Sequence, residues 1–222
     1  MFVPRNFFES LRANSGLPTI FIHTPKCAGV YIATAFGKRY RRCPSRNPPL
    51  HAHMTYLELQ ADLPKVGLRI EDFITFATVR NPWAWHVSFY HFVKGFDARD
   101  RARSPDAAAQ YEVLEGLNFS EYLRVIEAGV AARASLLDTN RTVTDWIVDK
   151  TGKIAVNYVF RQENLDHDLQ AFIDQFGLRI KPSKVPMNTS NHKNYRHYYS
   201  DDDRKLVEKL HKRDLDLLSY TF

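Results

Sequence analysis

The chain has 222 residues, of which 44% are hydrophobic and 25% charged, with a net charge of +6. That is the composition of a soluble globular chain long enough for one sizeable core. No apolar run reaches the roughly 18 residues of a membrane helix, and Arg5, Glu9 and Arg12 break up any secretory-signal pattern. Two cysteines, Cys27 and Cys43, make neither a disulfide framework nor a zinc pattern, so no metal is expected.

In chain order, Thr19–His23 reads as a short strand, which Pro25 ends. Val30, Ile32, Ala33, Phe36 and Tyr40 then recur at helical spacing. The basic run Lys38-Arg39-Tyr40-Arg41-Arg42 reads equally as a ligand patch or as a solvated helix end. The pair His51-Ala52-His53 sits in a proline-rich stretch before the next helix. Asp72–Val79 reads as a buried strand; Asn81 can cap a helix, Pro82 suits its first position, and the helix runs to Gly95.

The mixed-charge stretch 97–106 reads as an exposed loop. Residues 146–156 read as a hairpin around Asp149-Lys150-Thr151-Gly152, its second arm continuing to Arg161. Leu165, Leu169, Phe172, Ile173 and Phe176 give one apolar helical face, closed by Gly177. Ser200–Asp203 has the pattern of a capping box opening the last helix, with Leu206, Leu210, Leu217 and Leu218 as core contacts. Strands alternating with helices predict an α/β fold. It is a single domain over 1–222, with its core from about 18, and a mainly parallel central sheet flanked by helices. Ligands of such sheets bind beyond the carboxyl ends of the strands, where both the Pro25 and the Arg80 loops fall.

The first loop runs Pro25-Lys26-Cys27-Ala28-Gly29-Val30-Tyr31 into a helix. A helix start offers backbone N–H groups to an anion, Gly29 permits close approach, and Lys26 supplies a charge. It is P-loop-like without being a Walker loop, because Lys26 is followed by Cys27 rather than Ser or Thr. At the second strand end, Arg80 can hold a phosphate with two parallel N–H bonds, and Ser88 follows two helical turns on.

His23-Thr24-Pro25-Lys26 with Gly29 resembles the 5′-phosphosulfate loop of sulfotransferases dependent on 3′-phosphoadenosine 5′-phosphosulfate (PAPS). Arg80-Asn81-Pro82-Trp83 with Ser88 and Tyr90 resembles their 3′-phosphate motif. Arg161-Gln162-Glu163-Asn164-Leu165 is similar to the family's Arg-x-Glu-Asn-Leu segment. Asn188-Thr189-Ser190-Asn191-His192 with Tyr195 and Tyr198-Tyr199 is similar to its C-terminal cofactor loop, and Asp214-Leu215 to Tyr220-Thr221-Phe222 also fits. The resemblance runs from about Ile20 to the end and is strongest with the carbohydrate branch.

The resemblance implies a sulfuryl transfer from PAPS, with PAP (3′-phosphoadenosine 5′-phosphate) as the nucleotide product, to a carbohydrate hydroxyl. Lys26 would meet the bridging oxygen, backbone N–H groups from Cys27 to Tyr31 the 5′-phosphate, and Arg80 and Ser88 the 3′-phosphate. Arg161, Asn188, Ser190, His192 and Tyr195 are further expected nucleotide contacts. His-x-His also occurs in uronyl 2-O-sulfotransferases, so His53 is the expected base and His51 its alternative; the same pair also reads as two surface histidines of a loop. Ala28, Val30 and Tyr31 depart from the family's glycine and hydroxyl residues, and Trp85 replaces a usual arginine. A nucleotide-dependent small-molecule kinase and a non-catalytic anionic-glycan-binding protein are the competing readings. No nucleic acid or membrane span is expected, and the expected compartment is the cytoplasm. A lumenal domain trimmed of its leader would have the same composition.

Overall fold

The structure is a computed structural model that describes residues 19–36, 53–128, 141–178, 180, 182 and 193–222. Their contacts fall into two compact units. One takes the described residues of Met1–Arg80 and Thr144–Thr189, the other those of Asn81–Val143 and Ser190–Phe222.

The first unit holds a parallel sheet in the order β1 (Thr19–Ile22), β2 (Ile74–Val79), β3 (Tyr158–Arg161). Ile22 lies opposite Ala77 and Val79 opposite Arg161. Helix α1 (Gly29–Phe36) follows β1, α2 (Tyr56–Asp62) precedes β2, and α7 (Leu165–Phe176) follows β3. Phe21 and Phe76 pair in register on one sheet face. Phe36 of α1 and Phe172 of α7 pack on Phe76 at ring-centroid distances of 5.2 and 5.3 Å. Ile20, Ile22, Ala77 and Val79 alternate with them and are also buried, so both faces are covered. The Asn157 side chain accepts from the Thr75 N–H at 2.8 Å and fixes the start of β3 against β2.

The second unit is helical: α3 (Pro82–Lys94), α4 (Ala98–Arg103), α5 (Pro105–Leu114), α6 (Phe119–Ala128), α8 (Asp201–Leu210) and α9 (Lys212–Leu218). Asn81 caps α3, its side chain accepting from Trp83 N–H and Ala84 N–H, with Pro82 in the first turn. Trp85 is buried and stacks on Phe89 at 5.6 Å, so its ring serves packing.

The structure corrects three expectations. Residues 97–106 are largely helical rather than loop. Asp97 makes a capping box with Asp100, and Ser104 caps α5 ahead of Pro105, so local start signals outweigh the polar composition. The predicted hairpin is shorter than expected: its arms meet at one antiparallel bridge, Val148 to Ile154, around a turn in which the Asp149 side chain accepts from the Thr151 and Lys153 N–H groups. The strand that follows joins β2 instead. The last helix breaks at His211 into α8 and α9, and Leu217 is exposed. The Ser200 capping box and the left-handed Gly177 cap form as predicted.

Candidate active site at the carboxyl ends of β1 and β2

The loop between β1 and α1 carries two left-handed residues, Lys26 at φ 60° and Ala28 at φ 61°. That conformation costs a residue with a side chain about 1–2 kcal/mol. A turn of this kind gathers backbone N–H groups into an anion-binding concavity. Cys27 N–H turns back to the Thr24 carbonyl at 3.4 Å, and Tyr31 N–H to the Ala28 carbonyl at 3.0 Å. The Tyr31 hydroxyl is committed elsewhere, donating to Asp166 Oδ1 at 2.5 Å. Burial, and then this carboxylate, push its pKa up to about 12.

Arg80, one residue beyond β2, sends Nη1 to the Lys26 carbonyl at 3.2 Å. The two cations therefore share one small region. Burial, and next the Arg80 guanidinium, lower the Lys26 pKa from 10.5 to about 8, with Cys27 acting in the opposite direction. Arg161, at the end of β3, stands in register with Val79, the residue before Arg80. Its N–H donates to Asp168 Oδ2 at 2.8 Å.

His53 sits just before α2 in a left-handed conformation, φ 61°. Its Nδ1 lies 3.0 Å from the His23 carbonyl oxygen. A carbonyl only accepts, so Nδ1 carries a hydrogen, and in the neutral ring the lone pair is on Nε2. The rings of His53 and His23 are 4.3 Å apart, and Trp146 meets His53 edge-on at 6.2 Å. Burial first, then His53 and Lys26, bring the His23 pKa down to about 3, so this imidazole is neutral.

The His23 ring lies on Gly29. A Cβ at Gly29 would fall 1.8 Å from His23 Nε2. The glycine that the sequence suggests for close phosphate approach thus also makes room for a side chain. Sequence reasoning placed His23 in the loop motif but gave its side chain no role; the signal for one is a histidine at a strand end with a glycine six residues on.

Of the predicted site residues, the structure brings Pro25 to Tyr31, His53 and Arg80 into one unit, with Arg161 at the adjoining strand end. Ser88, buried in α3, and Tyr195, in the 3-10 turn Tyr195–Tyr198, belong to the second unit. His51, Asn188, Ser190 and His192 lie outside the described residues, as does the basic run 38–42.

No helix among the described residues is long and apolar enough to cross a membrane. A search of curated proteins finds no match to the chain. A model of the sulfotransferase family matches residues 17–221, a span that includes both loops and all three strands. The chain belongs to the sulfotransferase family.

Proposed function

We propose that the chain transfers the sulfuryl group of PAPS to a hydroxyl of a carbohydrate, with His53 as general base. The observation that carries this reading is the pair of cations at one strand edge. Lys26 and Arg80 are held together although each opposes the charge of the other, an arrangement that an anion with two charged ends would reward.

In this reading Arg80 holds the 3′-phosphate through its guanidinium fork. Cys27 and Tyr31 spend their N–H groups inside the loop, which narrows the backbone donors for the 5′-phosphate to Ala28, Gly29 and Val30. His53 Nε2 takes the proton from the acceptor hydroxyl as that oxygen bonds to sulfur. The bond from sulfur to the bridging oxygen breaks, and Lys26 neutralises the charge that arrives on that oxygen. Positioning and electrostatics supply the rate, as in phosphoryl transfer. The acceptor class rests on the likeness of His51-Ala52-His53 to uronyl 2-O-sulfotransferases. The proposal draws on the first unit alone.

Calorimetric titration with PAP, beside ADP and ATP with Mg²⁺, tests it. Tight binding of PAP alone is expected. Preference for ATP, or no nucleotide binding, would sink the proposal in favour of a kinase-like or glycan-binding protein.

A further inference from the structure

The two halves of the candidate site stand on different segments of the chain. The loop that opens α1 follows β1, and His53, 30 residues on from His23, precedes α2. An in-line transfer needs donor and base at one fixed spacing, so the second segment must be registered against the first. His23 touches both.

His23 is mounted on the sheet. It follows β1 directly, and Phe21, two residues back on the same side of the strand, stacks on its ring at 5.6 Å with 23° between the planes. Phe21 in turn stacks on Phe76 at 5.2 Å, within the core. From this mount the Nε2 edge of the His23 ring lies on Gly29, the first residue of α1, where a Cβ would come within 1.8 Å. The same ring lies 4.3 Å from that of His53. Burial above all keeps the His23 imidazole neutral, with a pKa of about 3, so it packs as a flat plate and brings no charge.

His53 is held by what surrounds it. Its φ of 61° is one that a residue with a side chain keeps only where its neighbours impose it. Two residues on, the capping box of Thr55 and Glu58 fixes the chain at the start of α2. On the other side Nδ1 donates to the main-chain oxygen of His23 at 3.0 Å. That bond fixes one ring atom and leaves rotation about it. The His23 ring and the edge-on contact with the buried Trp146 fix the plane.

We propose that the His23 ring is a positioning residue for the base: resting on Gly29 of the donor loop and on the imidazole of His53, it sets the spacing between the donor and His53 Nε2. This deepens the proposed function and rests on its assignment of His53 as base.

His23→Ala isolates the ring. It keeps the main-chain oxygen that receives the His53 hydrogen and removes only the plate. Turnover is read as PAP released from PAPS with a uronic-acid oligosaccharide as acceptor. His23→Ala should lower kcat by about 10- to 100-fold, the cost of a base misplaced by about an ångström, and leave PAP affinity, by calorimetry, as it was. In a His53→Asn background the same change should lower kcat further by no more than about threefold, because there is no longer a base to place. Thermal unfolding reads the other contact. Gly29→Ala should lower Tm in the wild type and hardly at all in His23→Ala, where the ring that its Cβ would meet is gone.

Independent, multiplying losses of kcat in the double variant, an equal loss of PAP affinity, or the same fall in Tm in both backgrounds would overturn the inference. If His23→Ala does not fold, His23→Leu, closer in volume but without a flat ring, takes its place. Normal PAP release by His53→Asn, or none by the wild type, would instead defeat the proposed function, and the inference with it.

Discussion

The imidazole of His23 occupies the space a side chain on residue 29 would need: a Cβ on Gly29 would lie 1.8 Å from His23 Nε2 and 2.0 Å from Cδ2. The ring has little freedom to withdraw, because Phe21 stacks on it at 5.6 Å and His53 at 4.3 Å. Gly29→Ala should therefore displace His23 and, through it, His53. The expected outcome is a large loss of transfer with a folded protein, read by turnover beside circular dichroism. Normal turnover would mean that the two rings are not needed in this arrangement.

As the proposed base, His53 would accept a proton at Nε2, since the His23 carbonyl holds a hydrogen at Nδ1. His53→Asn retains a donor in the side chain but has no basic nitrogen. Its kcat should fall by about 10²–10⁴-fold, while PAP affinity, measured by calorimetry, stays as it was. Unimpaired transfer would move the role to His51 or His23.

Ala28 stands at φ 61°, where only glycine is unstrained. Ala28→Gly should relieve that strain but add freedom to the unfolded chain. The net gain should be up to about 1 kcal/mol, seen as a small rise in Tm. A fall in Tm would show that the methyl group contributes packing that outweighs its strain.

Much of the fold around the candidate site was legible because its signals are local. The change from a run of apolar residues to helical spacing after Pro25 marks β1, the loop and α1. Asn81-Pro82 marks the start of α3, Gly177 the end of α7, and Ser200 the start of α8. The stretch 97–106 misled because charge content masked two caps, Asp97 and Ser104. The partners of His23, Tyr31 and Arg80 could not be read, since each is set by strands and helices meeting far apart in sequence. Tyr31 and Asp166 are 135 residues apart. In the second unit, His86 and His211, 125 residues apart, bring their Nε2 atoms to 2.8 Å. Tyr122 and Asp214 complete a buried chain with them. No pattern in the sequence announces it.

That chain gives a stability prediction. Asp214 is fully buried and accepts from Val143 N–H at 2.9 Å and from His211 Nδ1 at 2.8 Å. Asp214→Ala leaves two buried donors without an acceptor, at a cost of about 2–4 kcal/mol. Tm should drop by roughly 5–12 °C. Asp216→Ala, which removes only an exposed pair with Lys212, should leave Tm nearly unchanged. Equal effects of the two substitutions would show that the buried chain adds nothing to stability.

Lys26 should trade stability for activity. Its pKa is about 8 in the folded protein against 10.5 for an ordinary lysine, because burial and Arg80 disfavour the charge. The unfolded chain thus holds this proton more tightly. Below about pH 8 both states are protonated and the folded state bears the whole penalty. Between about 8 and 10.5 only the unfolded state is protonated, so the penalty shrinks as pH rises and is gone above that range. Lys26→Met removes the charge at every pH and keeps an apolar stem of similar length. At pH 7 it should raise stability by on the order of 1–3 kcal/mol, allowing for partial exposure, and the gain over wild type should vanish towards pH 10.5. Transfer should be lost at every pH. In the wild type, activity should decline as pH climbs past the Lys26 midpoint, since the group proposed to meet the leaving oxygen then loses its proton. Thermal unfolding of both proteins from pH 6 to 10, beside their turnover, checks both halves. A Lys26→Met protein less stable than wild type at pH 7 would mean that the Lys26 charge is already compensated within the folded site.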